Sequence, residues 1–142
     1  MSFDDAYNKY QAASDMLGRY NYAEAIFLAQ QSIELSIKAL LTKLNIEFKR
    51  KHDIGDEPFT EASKLLKSVI KDKHKLNYYL KTLAKARILM KLLADLRTYA
   101  EYGFIEIPAK DVFDTEFKPF TEWAIQRVFD LHYRLKEIAK TI

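Results

Sequence analysis

A fixed cation beside a titratable ring can act together on a phosphate, so the arginine and histidine pairs of this chain are its first candidates for chemistry. Arg127 and His132 stand five positions apart in R-V-F-D-L-H. On a helix that separation turns the two side chains about 140° away from one another, and the pair reads as coincidence. Arg97 follows Leu93 by four positions and Met90 by seven, which puts it on the flank of an apolar helix face. A charge in that setting needs a partner, and Glu101, Tyr99 and Tyr102 are the nearest suppliers along the chain.

Other chemistries lack their parts. His52, His74 and His132 fall in different segments, with no second ligand at a spacing such as H-E-x-x-H, so no metal is expected. The chain has no cysteine, which removes disulfides, thiolate metal sites and cysteine nucleophiles. Its 3 glycines stand apart from one another, so phosphate-cradling loops, dinucleotide fingerprints and serine elbows are excluded, and no cofactor is expected. The carboxylates Asp4 with Asp5 and Asp56 with Glu57 read as solvated charge. Gln30, Glu34 and Lys38, spaced by four inside an apolar arc, read as a structural triplet, with Glu34 and Lys38 in the favoured order for an ion pair.

Composition narrows the class. The chain has 142 residues, 49% hydrophobic and 30% charged, which is too apolar for disorder and too charged for a membrane bundle; one globular domain over residues 1–142 is expected. Its most apolar stretch, from Ile88 to Leu96, is broken by Lys91 and falls short of the ~18 to 20 residues a membrane span requires. The opening MSFDDAYNKY has neither the basic nor the apolar region of a signal peptide, so a cytoplasmic location is expected. Net charge is +3, unevenly spread: residues 43–91 hold 13 Lys/Arg against 6 Asp/Glu, while residues 1–42 and 92–142 are each slightly acidic. Lys49, Arg50, Lys51 and His52 fall in this basic third and are candidates for attracting phosphate.

The elements that must position these residues are helices. Gly18, Gly55 with Pro58, Gly103 with Pro108, and Pro119 punctuate long helical patterns and leave room for about five helices. These run from Phe3 to Gly18, Tyr22 to about Leu44, Phe59 to Lys71, Lys75 to Tyr102 and Thr115 to Lys140, with Asn21 capping the second. GFIEIP, from Gly103 to Pro108, alternates but is too short to make a sheet. In the last helix Phe117, Thr121, Ala124, Val128, Leu131, Leu135, Ile138 and Ile142 alternate steps of four and three, a seam that belongs in a bundle. Trp123, Phe129 and Tyr133 lie off that seam and predict a second covered face.

The second helix carries a wide apolar arc of Ile26, Phe27, Ile33, Ile37, Leu40, Leu41 and Leu44. Leu28 and Leu35 lie on another side, as do the small residues Ala25, Ala29, Ser32, Ser36 and Ala39. A helix so apolar or small nearly all round predicts cover from a second copy, a homodimer with Leu28, Leu35, Ser32 and Ser36 at its interface.

Tyr22-Ala23-Glu24-Ala25 leading into FLAQQSIELSIKALL, then Lys51-His52-Asp53-Ile54, and later LADLRTYAEYG ending at Gly103, resemble the HEPN domain family. The resemblance implies an all-α, four-helix up-and-down bundle with an extra short helix, from a prokaryotic family whose members usually dimerise. Many members are metal-independent endoribonucleases marked by an arginine followed after four to six residues by a histidine. Arg97 matches the arginine, but Tyr102, Gly103 and Phe104 occupy the histidine positions, and a tyrosine with a pKa near ~10 is a poor base at neutral pH. The expectation is therefore a non-catalytic module. It would bind RNA or a nucleotide through Arg97, Glu101, Tyr102, Lys49, Arg50, Lys51 and His52. Alternatively it would serve protein interaction, for instance as the partner of a minimal nucleotidyltransferase in a toxin–antitoxin pair. A metal-independent endoribonuclease with a degenerate motif is the competing expectation.

Overall fold

The structure is a computed structural model that describes residues 2–142. Helix α1 spans Phe3–Gly18, α2 Tyr22–Lys43, α3 Glu57–Val69, α4 Lys73–Tyr102, α5 Ala109–Val112 and α6 Lys118–Thr141, with one 3₁₀ turn at Thr115–Phe117. No strand occurs among the described residues. Helices α1, α2, α4 and α6 make a four-helix up-and-down bundle, and α3 packs on the outside of α4.

Local chemistry sets the ends. Ser2 Oγ accepts the Asp5 N–H at 3.1 Å to start α1, and Asn21 Oδ1 accepts the Glu24 N–H at 3.2 Å to start α2. Asp72 caps α4 by accepting from the N–H groups of His74 and Lys75. Pro58 and Pro119 sit in the first turns of α3 and α6, where a missing N–H costs nothing. This is why α3 begins at Glu57, ahead of the expected Phe59. The sixth helix, α5, was not expected: one turn of four residues after Pro108 is too short to show any periodicity. GFIEIP forms a tight turn with a single bridge between Phe104 and Ile107.

Helix α2 is the centre of the core. Ile26, Ile33, Ile37, Leu40 and Leu41 are all but fully buried, each contributing roughly 1.5–3 kcal/mol by leaving water. Its cover comes from three helices of the same chain, α1, α4 and α6. The small-residue side of α2 is thereby consumed: Ser32 Oγ donates to the Ala6 carbonyl of α1 at 2.7 Å, and Ser36 Oγ is hydrogen-bonded to His132 Nδ1 of α6 at 3.0 Å. Ser32 and Ser36 are 0% exposed and cannot touch a second copy, which corrects their assignment to a dimer interface. Small side chains did permit a close helix approach, but to α1 and α6. Leu28 and Leu35 remain half-buried on the outer side.

The α6 seam is buried from Thr121 through Ile138 as its spacing predicts. Off the seam, Phe129 packs its ring 4.9 Å from that of Tyr10, whereas Trp123 and Tyr133 stay about half exposed at 46% and 52%. The second face of α6 is covered at Phe129 alone of these three.

Candidate anion-binding site

A line of polar contacts runs across α2 and ties α4 to the loop between α2 and α3. The Arg97 guanidinium lies over the Phe27 ring, 4.4 Å from its centroid, and Nη1 donates to Gln30 Oε1. Gln30 Nε2 donates to Glu34 Oε1 at 2.9 Å. Glu34 Oε1 also accepts from His52 Nδ1 at 2.7 Å, and Glu34 Oε2 accepts from Lys38 Nζ at 3.3 Å. Gln30 is fully buried, so its two hydrogen bonds satisfy an amide that burial would otherwise penalise.

The network sets the charge of its members. Burial pushes the Glu34 carboxyl up, but hydrogen bonds from Gln30 and His52 and the charges of Lys38 and His52 more than offset it, so the group is held below its ordinary value. The triplet Gln30, Glu34 and Lys38 is structural in the sense expected of it, and it is also the connection between Arg97 and the basic loop.

That loop is fastened at two places. Ile46 and Ile54 bury their side chains in the core. Arg87 of α4 donates from Nη1 to Asp53 Oδ1 at 2.8 Å and from Nε to Asp56 Oδ1 at 2.5 Å. Between these anchors an open groove of about 830 Å³ forms against α2, bordered by the cations Lys38, Arg50 and Lys51, by His52 and Phe48, and by the two carboxylates Glu34 and Glu47. Lys49 is exposed on the same loop, outside the lining. Among the described residues, none of Arg97, Lys49, Arg50 and Lys51 has a carboxylate within ion-pair distance.

Glu101 and Tyr102 do not join the site. Arg97 and Tyr102 are five positions apart on the unbroken helix α4, which turns them about 140° from one another. Tyr102 is 73% exposed, and among the described residues Glu101 forms no ion pair with Arg97, which corrects its expected role as the partner of that cation. The arginine instead turns inward to the Phe27 face and the Gln30 amide. Phe27 and Gln30 were missed as site residues; the available signal was an apolar arc on α2 holding one buried amide, and a lone arginine flanking the apolar face of α4.

Arg127 and His132 are separate, as their spacing indicates. Arg127 pairs with Asp130 at 2.8 Å. His132 is 3% exposed among the rings of Phe3, Tyr7 and Tyr133. Burial, followed by the charge of Lys136, lowers its pKa from the ordinary 6.5, with Asp4 opposing. No cluster of three or more metal-ligating side chains occurs among the described residues, and none of their helices is long and apolar enough to cross a membrane.

The fold is an all-α bundle whose candidate site is a cation-bearing loop set against its central helix. The HEPN domain model matches residues 2–110, and the chain belongs to that family. No curated protein and no solved structure is similar enough to the chain to add a relative.

Proposed function

We propose that this chain is a non-catalytic, phosphate-binding HEPN module that holds RNA or a nucleotide at the groove of Arg50, Lys51 and His52, with Arg97 joined to it through Gln30 and Glu34, and that it works as a homodimer. The observation that carries the reading is the set of three loop cations, Lys49, Arg50 and Lys51, standing without carboxylate partners on an anchored loop, with a fourth unpaired cation, Arg97 of α4, tied to that loop through Gln30 and Glu34. Unpaired cations on a fixed frame attract phosphate by releasing counterions. Catalysis is disfavoured at Arg97, because the position a family histidine would take holds Tyr102, turned away on the same helix.

The dimer reading has its own support. Leu28, Gln31 and Leu35 follow one another on the outer side of α2, and Gln31 Oε1 is buried without any hydrogen-bond partner. An orphan acceptor between two half-buried leucines suits a donor brought by a second chain. That stripe adjoins Phe27, so pairing there would bring two Arg97 sites to one seam. A cytoplasmic partner such as a minimal nucleotidyltransferase, as in a toxin–antitoxin pair, fits the same module.

A second reading rests on one contact. Glu34 fixes Nδ1 of His52 at 2.7 Å, and a carboxylate-held imidazole beside cations is an arrangement that can accept the proton of a ribose 2′-hydroxyl. A metal-independent endoribonuclease would then use His52, not residue 102.

One experiment addresses both. Fluorescence anisotropy of a labelled single-stranded RNA, competed by a mononucleotide, should show binding that weakens steeply with salt and falls in the Lys49→Ala/Arg50→Ala/Lys51→Ala variant. Binding that ignores salt or the triple variant defeats the proposal. RNA incubated with the chain and EDTA should remain intact; cleavage that disappears in His52→Ala establishes the second reading in its place.

A further inference from the structure

On the side of α4 away from Arg97, the fold leaves an apolar trough open. Ile88 and Leu92 of α4 are 67% and 38% exposed and Trp123 of α6 is 46% exposed. With Leu89 and Leu131 they floor a groove of about 360 Å³. Ile88 and Arg97 are nine positions apart, which places them on roughly opposite sides of the helix. This surface is therefore distinct from the phosphate groove.

Shape and charge define an occupant. Along α4 the lining runs from Lys85 to Leu92, about two helical turns or roughly 10 Å, and along α6 from Trp123 to Arg134, about three turns or roughly 16 Å. An elongated apolar channel between two helices suits a third helix better than a compact ligand. Its rim is basic: Lys85, Arg127 and Arg134 face one acid, Asp130, already paired with Arg127 at 2.8 Å. A second copy docking face to face would set those cations against themselves. RNA would find one aromatic ring and otherwise aliphatic side chains, a poor stacking platform.

We infer that the trough between α4 and α6 receives an acidic amphipathic helix of a partner protein, its apolar face on Ile88, Leu92 and Trp123 and its carboxylates toward Lys85 and Arg134.

Trp123 is the 1 tryptophan of the chain, so its emission reports occupancy of the trough directly. The probe is a designed helical peptide with leucines at positions i, i+3, i+4 and i+7 and glutamates on both flanks, titrated into the intact chain. Trp123 emission should shift to the blue, with an affinity that falls with salt and drops by about tenfold or more in Ile88→Asp and in Lys85→Glu/Arg134→Glu. Both variants change exposed or half-exposed side chains, and matching thermal melts show that the fold is kept. The same peptide with lysines replacing the glutamates should leave the emission unchanged. The inference is overturned by silence toward the glutamate peptide, by an equal response to the lysine peptide, or by a response to oligouridylate that Ile88→Asp removes. A blue shift caused by raising the concentration of the chain alone would also overturn it, since a second copy would then be the occupant.

Discussion

Arg97 on α4 and Gln30 on α2, 67 positions apart, share a hydrogen bond from Nη1 to Oε1, while the guanidinium lies 4.4 Å over the neighbouring Phe27 ring. The arginine that would serve a phosphate is thus also a fastener between two bundle helices. Its planar group both stacks and donates, which an ammonium cannot reproduce.

Removing it should therefore cost stability as well as binding. In Arg97→Ala the cation–π contact is lost and the fully buried Gln30 keeps an oxygen without a donor, together worth about 1–3 kcal/mol. Urea unfolding should show a fall of that size, with Arg97→Lys recovering less than half. A melt identical to wild type would mean that Gln30 finds another donor and that the contact holds nothing together.

The Glu34 carboxyl gives a pH signature. Because its folded value lies below the ordinary 4.5, the folded state prefers the charged form, and the stabilisation is complete above 4.5. It is lost as pH falls through the folded value. Melting temperature should drop from about pH 5 toward pH 3 more steeply in wild type than in Glu34→Gln, where there is no carboxyl to protonate. Parallel curves would remove Glu34 from the list of acid-sensitive groups.

Much of the bundle is legible in the sequence because periodicity and punctuation are local. The step pattern from Thr121 to Ile138, the Asn21 cap and Gly103 each state a helix face or end without reference to the rest of the chain. What covers a face is not local. Ser32 and Ser36 look like a docking stripe until α1 supplies the Ala6 carbonyl and α6 supplies His132. Arg97 likewise shows that it needs a partner, but the choice between Glu101, four positions away, and Gln30, 67 away, depends on how α4 is rotated against α2. Lys49 to His52 are visible as a basic run, whereas the Arg87 contacts to Asp53 and Asp56 that fix them join residues more than 30 positions apart.

His132 should titrate low. Buried against Phe3 and Tyr7 and bonded to Ser36, it resists protonation, with the Lys136 charge adding to the effect of burial and Asp4 opposing both. The folded state then binds the proton less well than the unfolded one. Its stabilisation is complete above 6.5 and is lost as pH falls from there through the folded value. An NMR titration should place the His132 midpoint below 6.5, and Ser36→Ala should lower stability by about 1–3 kcal/mol by leaving a buried ring nitrogen unpaired.

The outer stripe of α2 sets a test of assembly. Leu35→Glu places a charge beside Leu28 and the unsatisfied Gln31 oxygen. Light scattering should find a dimer in wild type and a single chain in Leu35→Glu, with the melt of the isolated fold little changed because Leu35 is only half-buried. A wild-type mass of one chain at high micromolar concentration would sink the dimer.

The turn after α4 limits how the family's arginine–histidine signature could be rebuilt. Gly103 has φ +78, and a Cβ added there would stand 2.1 Å from the Ile107 carbonyl oxygen and 2.7 Å from the Ala109 nitrogen, both backbone atoms with no freedom to withdraw. Gly103→Ala should lose more than about 2 kcal/mol, since φ +78 with ψ −154 is backbone open essentially to glycine alone and costs a side-chain-bearing residue roughly 1–3 kcal/mol before any clash. Gly103→His should behave at least as badly. Tyr102→His, on the exposed last turn of the helix, should melt within about 0.5 kcal/mol of wild type. Of the two positions, then, only 102 can take a histidine without breaking the turn, and equal melts for Gly103→His and Tyr102→His would show that the backbone around Gly103 yields after all.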